Sequence, residues 1–247
     1  MNTFRTMLKT ELKLSVRGMD MVIFGLCLPV VMVVIFGAVF GNRPAFEGAS
    51  HTFLEQSFGA LSAIAICAGG VMGLPLLISE YRQKKILKRF RVTPVSPALI
   101  LAVHVVIYAI YALASLILVY GTAAVFFGFR MQGPVPAFIL SYLLVMLSMF
   151  SIGLVAGGLA PDTKTAGIIA SILYFPMLLF SGATLPYEIM PGPMQRAAGL
   201  MPLTQGIKLL KAASLGQPLD QVWFPVLILG AVFVLCSGVA LRFFRWE

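Results

Sequence analysis

Few side chains in these 247 residues could do chemistry by themselves. Cys27, Cys67 and Cys236 all sit within apolar runs, without CxxC metal spacing or a disulfide framework, and read as small packing residues. His104 lies near the start of a long apolar run, where it reads as a hydrogen-bonded interfacial or packing histidine rather than a proton relay. The chain contains no G-x-x-x-x-G-K-[ST] phosphate loop, and no Gly-Lys pair at all. Neither an H-E-x-x-H helix nor a G-x-S-x-G elbow is present. The expectation is a chain that is not an enzyme and binds no cofactor of its own. What stands out instead is residues 79–96, SEYRQKKILKRFRVTPVS, where six of the 18 Lys and Arg fall between Arg82 and Arg91.

The surroundings of that stretch are apolar. The composition is 60% hydrophobic and 11% charged, against about 25% charged in soluble proteins. No soluble domain is discernible, so the net charge of +9 does not read as a nucleic-acid-binding face. A membrane span needs about 20 mostly apolar residues, and six stretches qualify, near 21–41, 58–78, 100–126, 137–160, 166–185 and 223–241. The first is too long for a signal-peptide core and reads as a retained span. The whole chain, 1–247, thus reads as a single all-α transmembrane domain. No Asp, Glu, Lys or Arg lies in the middle of any span, which disfavours an ion-coupled transporter.

Basic residues set the orientation. Residues 1–20 carry four, 79–97 six, 161–165 one and the tail two, thirteen in all, against five in the other three connections. Cationic connections stay on the cytoplasmic side, so a multi-pass cell-membrane protein with both termini inside is expected. Residues 1–20 form an amphipathic helix, with Phe4, Met7, Leu8 and Leu12 on one face and Arg5, Lys9, Lys13 and Arg17 on the other. Its partner is lipid or protein. Residues 81–91 read as a second amphipathic helix, with Ile86, Leu87 and Phe90 as the apolar stripe, ended at Thr93-Pro94. This is either a topogenic loop or a docking element for a cytoplasmic partner.

Residues 186–216 are too apolar for a loop in water and too broken for a span, which predicts short re-entrant extracellular helices before the last span. Ser181, Gly182, Pro186, Pro191 and Pro202 punctuate this outer lid, and Thr204 is placed as the cap of a helix that Gly216 ends. Gly69-x-x-x-Gly73 and Gly153-x-x-x-Gly157 permit close helix approach, within one chain or between two. Tyr108, Tyr111, Ser115, Ser148 and Ser151 are candidates for polar pathway lining, with packing as the plainer alternative.

Leu77-Ile78-Ser79-Glu80 with the basic run, Arg91-Val92-Thr93-Pro94-Val95-Ser96-Pro97, Phe175-Pro176 to Phe180-Ser181-Gly182, Leu185-Pro186 and Pro202-Leu203-Thr204 occur here in order. Together with six spans, this set resembles the permease subunit of a type-2 ABC transporter (the ABC-2 family). The resemblance implies a cytoplasmic coupling helix over 80–94 that docks into a separate ATP-binding subunit, which holds ATP and Mg. Glu80, Arg82, Lys88, Arg89, Thr93 and Pro94 would transmit closure of the ATPase, and the N-terminal amphipathic helix would support the loop. It also implies a second permease copy, identical or a close paralogue, and export across the plasma membrane. The uncharged spans suit a hydrophobic or amphiphilic cargo such as a drug, a peptide antibiotic or a lipid-like compound. A stand-alone channel or facilitator, and a non-transporting scaffold or sensor, are the alternatives. The chain departs from many relatives in carrying Gln83-Lys84-Lys85-Ile86 where they have a Gly-Thr pair soon after the acidic residue.

Overall fold

Every element of the described chain is helical, apart from an isolated bridge between Pro44 and Thr52. The computed structural model describes residues 2–41, 43–44, 51–86, 97–182, 191–218 and 222–243. In chain order its helices are α1 (Asn2–Gly18), α2 (Val22–Phe40), α3 (Phe53–Gln83), α4 (Pro97–Phe127), α5 (Val135–Leu159), α6 (Thr163–Phe180), α7 (Gly192–Gly199), α8 (Pro202–Leu215) and α9 (Trp223–Phe243). Six of these, α2 to α6 and α9, are long and apolar enough to cross a membrane. At about 1.5 Å per residue, the 31 residues of α3 reach beyond a hydrocarbon core of about 30 Å and carry its polar ends out of it.

α3 is the hub. Between Gly59 and Gly73 it is built largely of Gly, Ala and Ser, and residues 58–71 are all buried. Small side chains on every face let neighbouring backbones approach from several directions. A Cβ on Gly59 would stand 2.7 Å from the Lys211 backbone nitrogen of α8, and one on Gly153 of α5 only 1.8 Å from the Gly70 carbonyl oxygen. Gly69 and Gly73 face the Tyr108 ring of α4, and Gly157 faces Pro75 and Ile78. Both small-residue motifs are therefore occupied within one chain. By contrast α2, α6 and α9 expose long apolar faces, including Ile23, Val31, Ile172, Phe175, Val234 and Leu235.

Two spans change pitch near a proline. Val22–Cys27 in α2 and Ala68–Gly73 in α3 are π-helical turns, followed by Leu28-Pro29 and Leu74-Pro75. Proline cannot donate to the preceding turn, and its ring crowds the carbonyl four residues back, so a widened turn relieves the conflict. α6 ends at Phe180, followed by Gly182 at a left-handed φ of 91°.

α3 begins with a complete capping box. The Glu55 amide donates to the Thr52 hydroxyl, and the Thr52 amide donates to the Glu55 carboxylate at 2.7 Å. At that same end Gln132 and Gly133 donate their amides to the Ser214 carbonyl, each at 3.0 Å, which ties the α4–α5 connection to the end of α8. α8 is not a surface helix. Leu203 to Ile207, Leu209, Leu210, Ala212, Ser214 and Leu215 are all buried, against α3, α5 and α9. Its start also differs from the sequence reading, because Met201 occupies the cap and Pro202 the first helical position. Proline at that position loses no hydrogen bond and has its φ preset. Thr204 consequently sits inside the helix, its hydroxyl buried without a partner. Gly216 does end the helix, in the left-handed conformation at φ 68°.

Candidate functional site

The end of the bundle opposite the capping box gathers the polar and basic side chains. It is built by the last turn of α3, by α1, and by the α5–α6 connection. Sequence reading begins a separate amphipathic helix at residue 81, but Tyr81, Arg82 and Gln83 belong to α3 itself. The helix stops at Lys84, and Lys85 takes a left-handed φ of 56°. That conformation costs a non-glycine residue about 1 kcal/mol. The departure from the Gly-Thr pair thus includes a lysine in a backbone state that glycine adopts freely. The rest of the amphipathic segment, with Lys88, Arg89, Thr93 and Pro94, lies outside the described residues, as does Pro186.

Glu80 and Lys84 form an ion pair one turn apart, both side chains about half exposed. Glu preceding Lys is the favourable order on a helix. Exposure keeps such a pair to about 0.3–0.5 kcal/mol. Arg82 faces another way. Its guanidinium donates to the carbonyl oxygens of Gly158 and Ala160 at the C-terminus of α5. Those are among the carbonyls that a helix end leaves without an amide donor, and they carry the negative end of its dipole. Gln83 reaches the next residues of the same connection: its side-chain oxygen accepts from the Thr163 hydroxyl at 2.6 Å and from the Thr163 amide. Asp162 caps α6, accepting from the Thr165 amide at 2.8 Å. This hydrogen bond holds its carboxyl below the ordinary value of 3.8.

α1 closes the other flank. Phe4, Met7, Leu8 and Leu12 pack on the core, while Arg5, Lys9, Lys13 and Arg17 stay exposed. Glu11 shares this partly buried stripe, and its carboxylate accepts from the Tyr81 hydroxyl at 3.0 Å. The same carboxylate stands 3.9 Å from Nε2 of His104, which is buried and has no hydrogen-bond partner. The Tyr81 and His104 rings meet edge to face, 5.0 Å between centroids. One turn on, Ser15 Oγ donates to the Tyr111 hydroxyl at 3.3 Å. The partner of α1, left open between lipid and protein by sequence, includes α3 and α4 of its own chain.

The remaining candidates are spread through the bundle. Tyr108, Tyr111, Ser115, Ser148 and Ser151 are all buried among helices of the chain. Ser148 donates to the carbonyls of Leu144 and Leu229, and Ser151 to that of Ser148. Ser181 is buried and bonded to the Leu178 carbonyl, whereas Pro191 caps the exposed α7. Sequence reasoning did not find Glu11, Tyr81, Gln83 or Thr163. For Glu11 a signal existed, since it stands three and four residues from Leu8 and Met7 on the apolar face. Nothing local marks the others, whose partners are 70 residues away for Tyr81 and 80 for Gln83 and Thr163.

Six apolar helices in one bundle, charged only near their ends, define a multi-pass membrane protein. Residues 2–215 match the ABC-2 type transporter family, and the chain belongs to it. Among its relatives, "Inner membrane transport permease YhhJ" of Escherichia coli K12 is 27% identical over 175 residues, 68% of this chain and 46% of that protein. "Nodulation protein J" of Neorhizobium galegae is 35% identical over 98 residues, 40% of this chain and 35% of that protein. The protein of that name from Rhizobium leguminosarum bv. viciae is 34% identical over 76 residues, 31% of this chain and 29% of its own. The chain therefore spans less than half the length of the curated relatives it matches.

Proposed function

We propose that this chain is the membrane-spanning permease subunit of an ATP-driven exporter. The observation that carries the reading is the family match across residues 2–215 of a chain with no phosphate loop. Energy then enters from a separate ATP-binding subunit, which binds ATP and Mg and docks on the segment 80–94. Glu80, Arg82, Lys88, Arg89, Thr93 and Pro94 act either in that docking or in passing its motion to the spans. The basic end of the bundle faces the cytoplasm, and residues 186–216 close the outer side, with Ser181, Gly182, Pro186, Pro191 and Pro202 at its bends. A second permease copy, identical or closely related, completes the pathway.

Absence of charge from the middle of the spans favours a hydrophobic or amphiphilic cargo. The hydroxyls of Tyr108, Tyr111, Ser115, Ser148 and Ser151 would reach such a cargo only when the helices around them part. Strong preference for a small hydrophilic ion in reconstituted vesicles would remove the cargo assignment.

The deciding experiment is ATP hydrolysis by the purified permease with its ATP-binding subunit, comparing the native chain with Glu80→Ala and Arg89→Ala. Loss of permease-dependent stimulation in an assembled complex is expected. If no ATPase copurifies and the substitutions alter only insertion or orientation, the basic segment is topogenic and the chain is better read as a channel.

A further inference from the structure

α3 and α5 touch along three successive levels. Gly153 meets the Gly70 carbonyl, Gly157 meets Pro75 and Ile78, and Arg82 closes the series on Gly158 and Ala160. At the first level backbone meets backbone, and at the second Gly157 meets the Pro75 Cα and the Ile78 side chain, so one helix cannot slide past the other without a clash. At the third, a charged side chain holds carbonyls that have no helical amide to accept from. Gln83 then extends the attachment across the connection to Thr163, the first residue of α6. α6 also packs on this part of α3, with Gly167 against Leu76. The two residues that grip the α5–α6 connection directly precede Lys84 and Lys85, where α3 ends and the basic segment begins.

We infer that Arg82 and Gln83 are positioning residues that make the α5–α6 connection a second limb of the coupling segment, so that a push on 84–94 moves α3, α5 and the start of α6 as one body. The inference rests on the exporter reading for the origin of the push, but the clamp itself is a property of this chain. Arg82 then acts on the neighbouring helix end, leaving the half-exposed Glu80-Lys84 pair and the exposed Lys85 to face a docked subunit. Two neighbouring positions of one basic stretch would thus have different tasks, one inside the permease and one at its surface.

The test is hydrogen exchange of residues 159–166, read together with permease-stimulated ATP turnover, in the nanodisc-embedded complex with the ATP-binding subunit. Variants are Arg82→Ala, Arg82→Lys, Gln83→Ala and, as a control for exchange alone, Lys84→Ala, which lies outside the clamp. Arg82→Ala should speed exchange in 159–166 by about tenfold, as expected for the loss of charged hydrogen bonds. It should also lower stimulated turnover while the complex still assembles. Arg82→Lys, which can still donate to a carbonyl, should recover part of both. Gln83 is exposed, so its substitution leaves the core intact, and Gln83→Ala should loosen Thr163 and its neighbours with a smaller loss of turnover.

Unchanged exchange in Arg82→Ala and Gln83→Ala would overturn the clamp. Faster exchange with full stimulated turnover would also overturn the inference, reducing Arg82 to a passive helix cap. Should the native permease stimulate no ATPase, the exporter reading fails by itself, and the exchange measurement on the permease alone still decides whether the clamp exists.

Discussion

Asp162 shows how a single carboxylate organises the α5–α6 connection. The backbone hydrogen bond from Thr165 depresses its pKa in the folded chain, so the cap is present above the ordinary value of 3.8 and is lost as pH falls through the lower folded value. Asp162→Ala should therefore speed amide exchange over 164–166 several-fold at neutral pH. The native chain should show the same fraying only in strong acid. Exchange at neutral and acidic pH checks both halves, and equal protection of native chain and variant at neutral pH would show that the cap is idle. At this scale the sequence is uneven. The Glu80-Lys84 pair is local and follows from helical spacing, whereas Arg82 has its partners in Gly158 and Ala160, whose carbonyls carry no sequence label.

Among the elements, the contact of α3 with α5 is the tightest test of packing. Gly153→Val should destabilise the bundle by about 3 kcal/mol, because its side chain would displace the Gly70 backbone rather than a flexible neighbour. Gly121→Ala and Gly230→Ala, which meet open space, should be neutral or stabilising by up to about 1 kcal/mol. Thermal unfolding in detergent separates the two outcomes, and equal melting of all three variants would discount the close approach. The six spans were legible because length and hydrophobicity alone specify them. The environment of α8 was not. Its sequence is only mildly amphipathic, and it is buried because Gly59 and Gly133 open space for it on two neighbours and Gly206 on its own face. The misplaced cap has a simpler cause: Pro202 marks the first turn, and Thr204 lies beyond it.

For the whole molecule, the structure sets which connections share an end. α1, the end of α3 and the α5–α6 connection meet through Tyr81, Glu11, Gln83 and Thr163. Thr52, Gln132 and Ser214 mark the other end. The excess of Lys and Arg at the first end predicts that it is cytoplasmic. Single cysteines placed at Thr10 and Gln217, in a background lacking the native three, should label oppositely with an impermeant thiol reagent in intact cells. Gln217 should react and Thr10 should not; the reverse pattern would invert the topology and remove the docking assignment of 80–94 with it.

The widened turn in α3 has a consequence for how its two ends are oriented. Each residue advances an α-helix by about 100°, and a π turn holds roughly one residue more than the α turn it replaces. Ala68–Gly73 thus acts as an angular offset between the small-residue face above it and the basic end below. Tightening that turn into regular α-helix would rotate Arg82 away from Gly158 and Ala160 and Gln83 away from Thr163, while Gly59 kept its place on α8. The segment where Pro75 disturbs the helix is therefore also where the heading of the basic end is set.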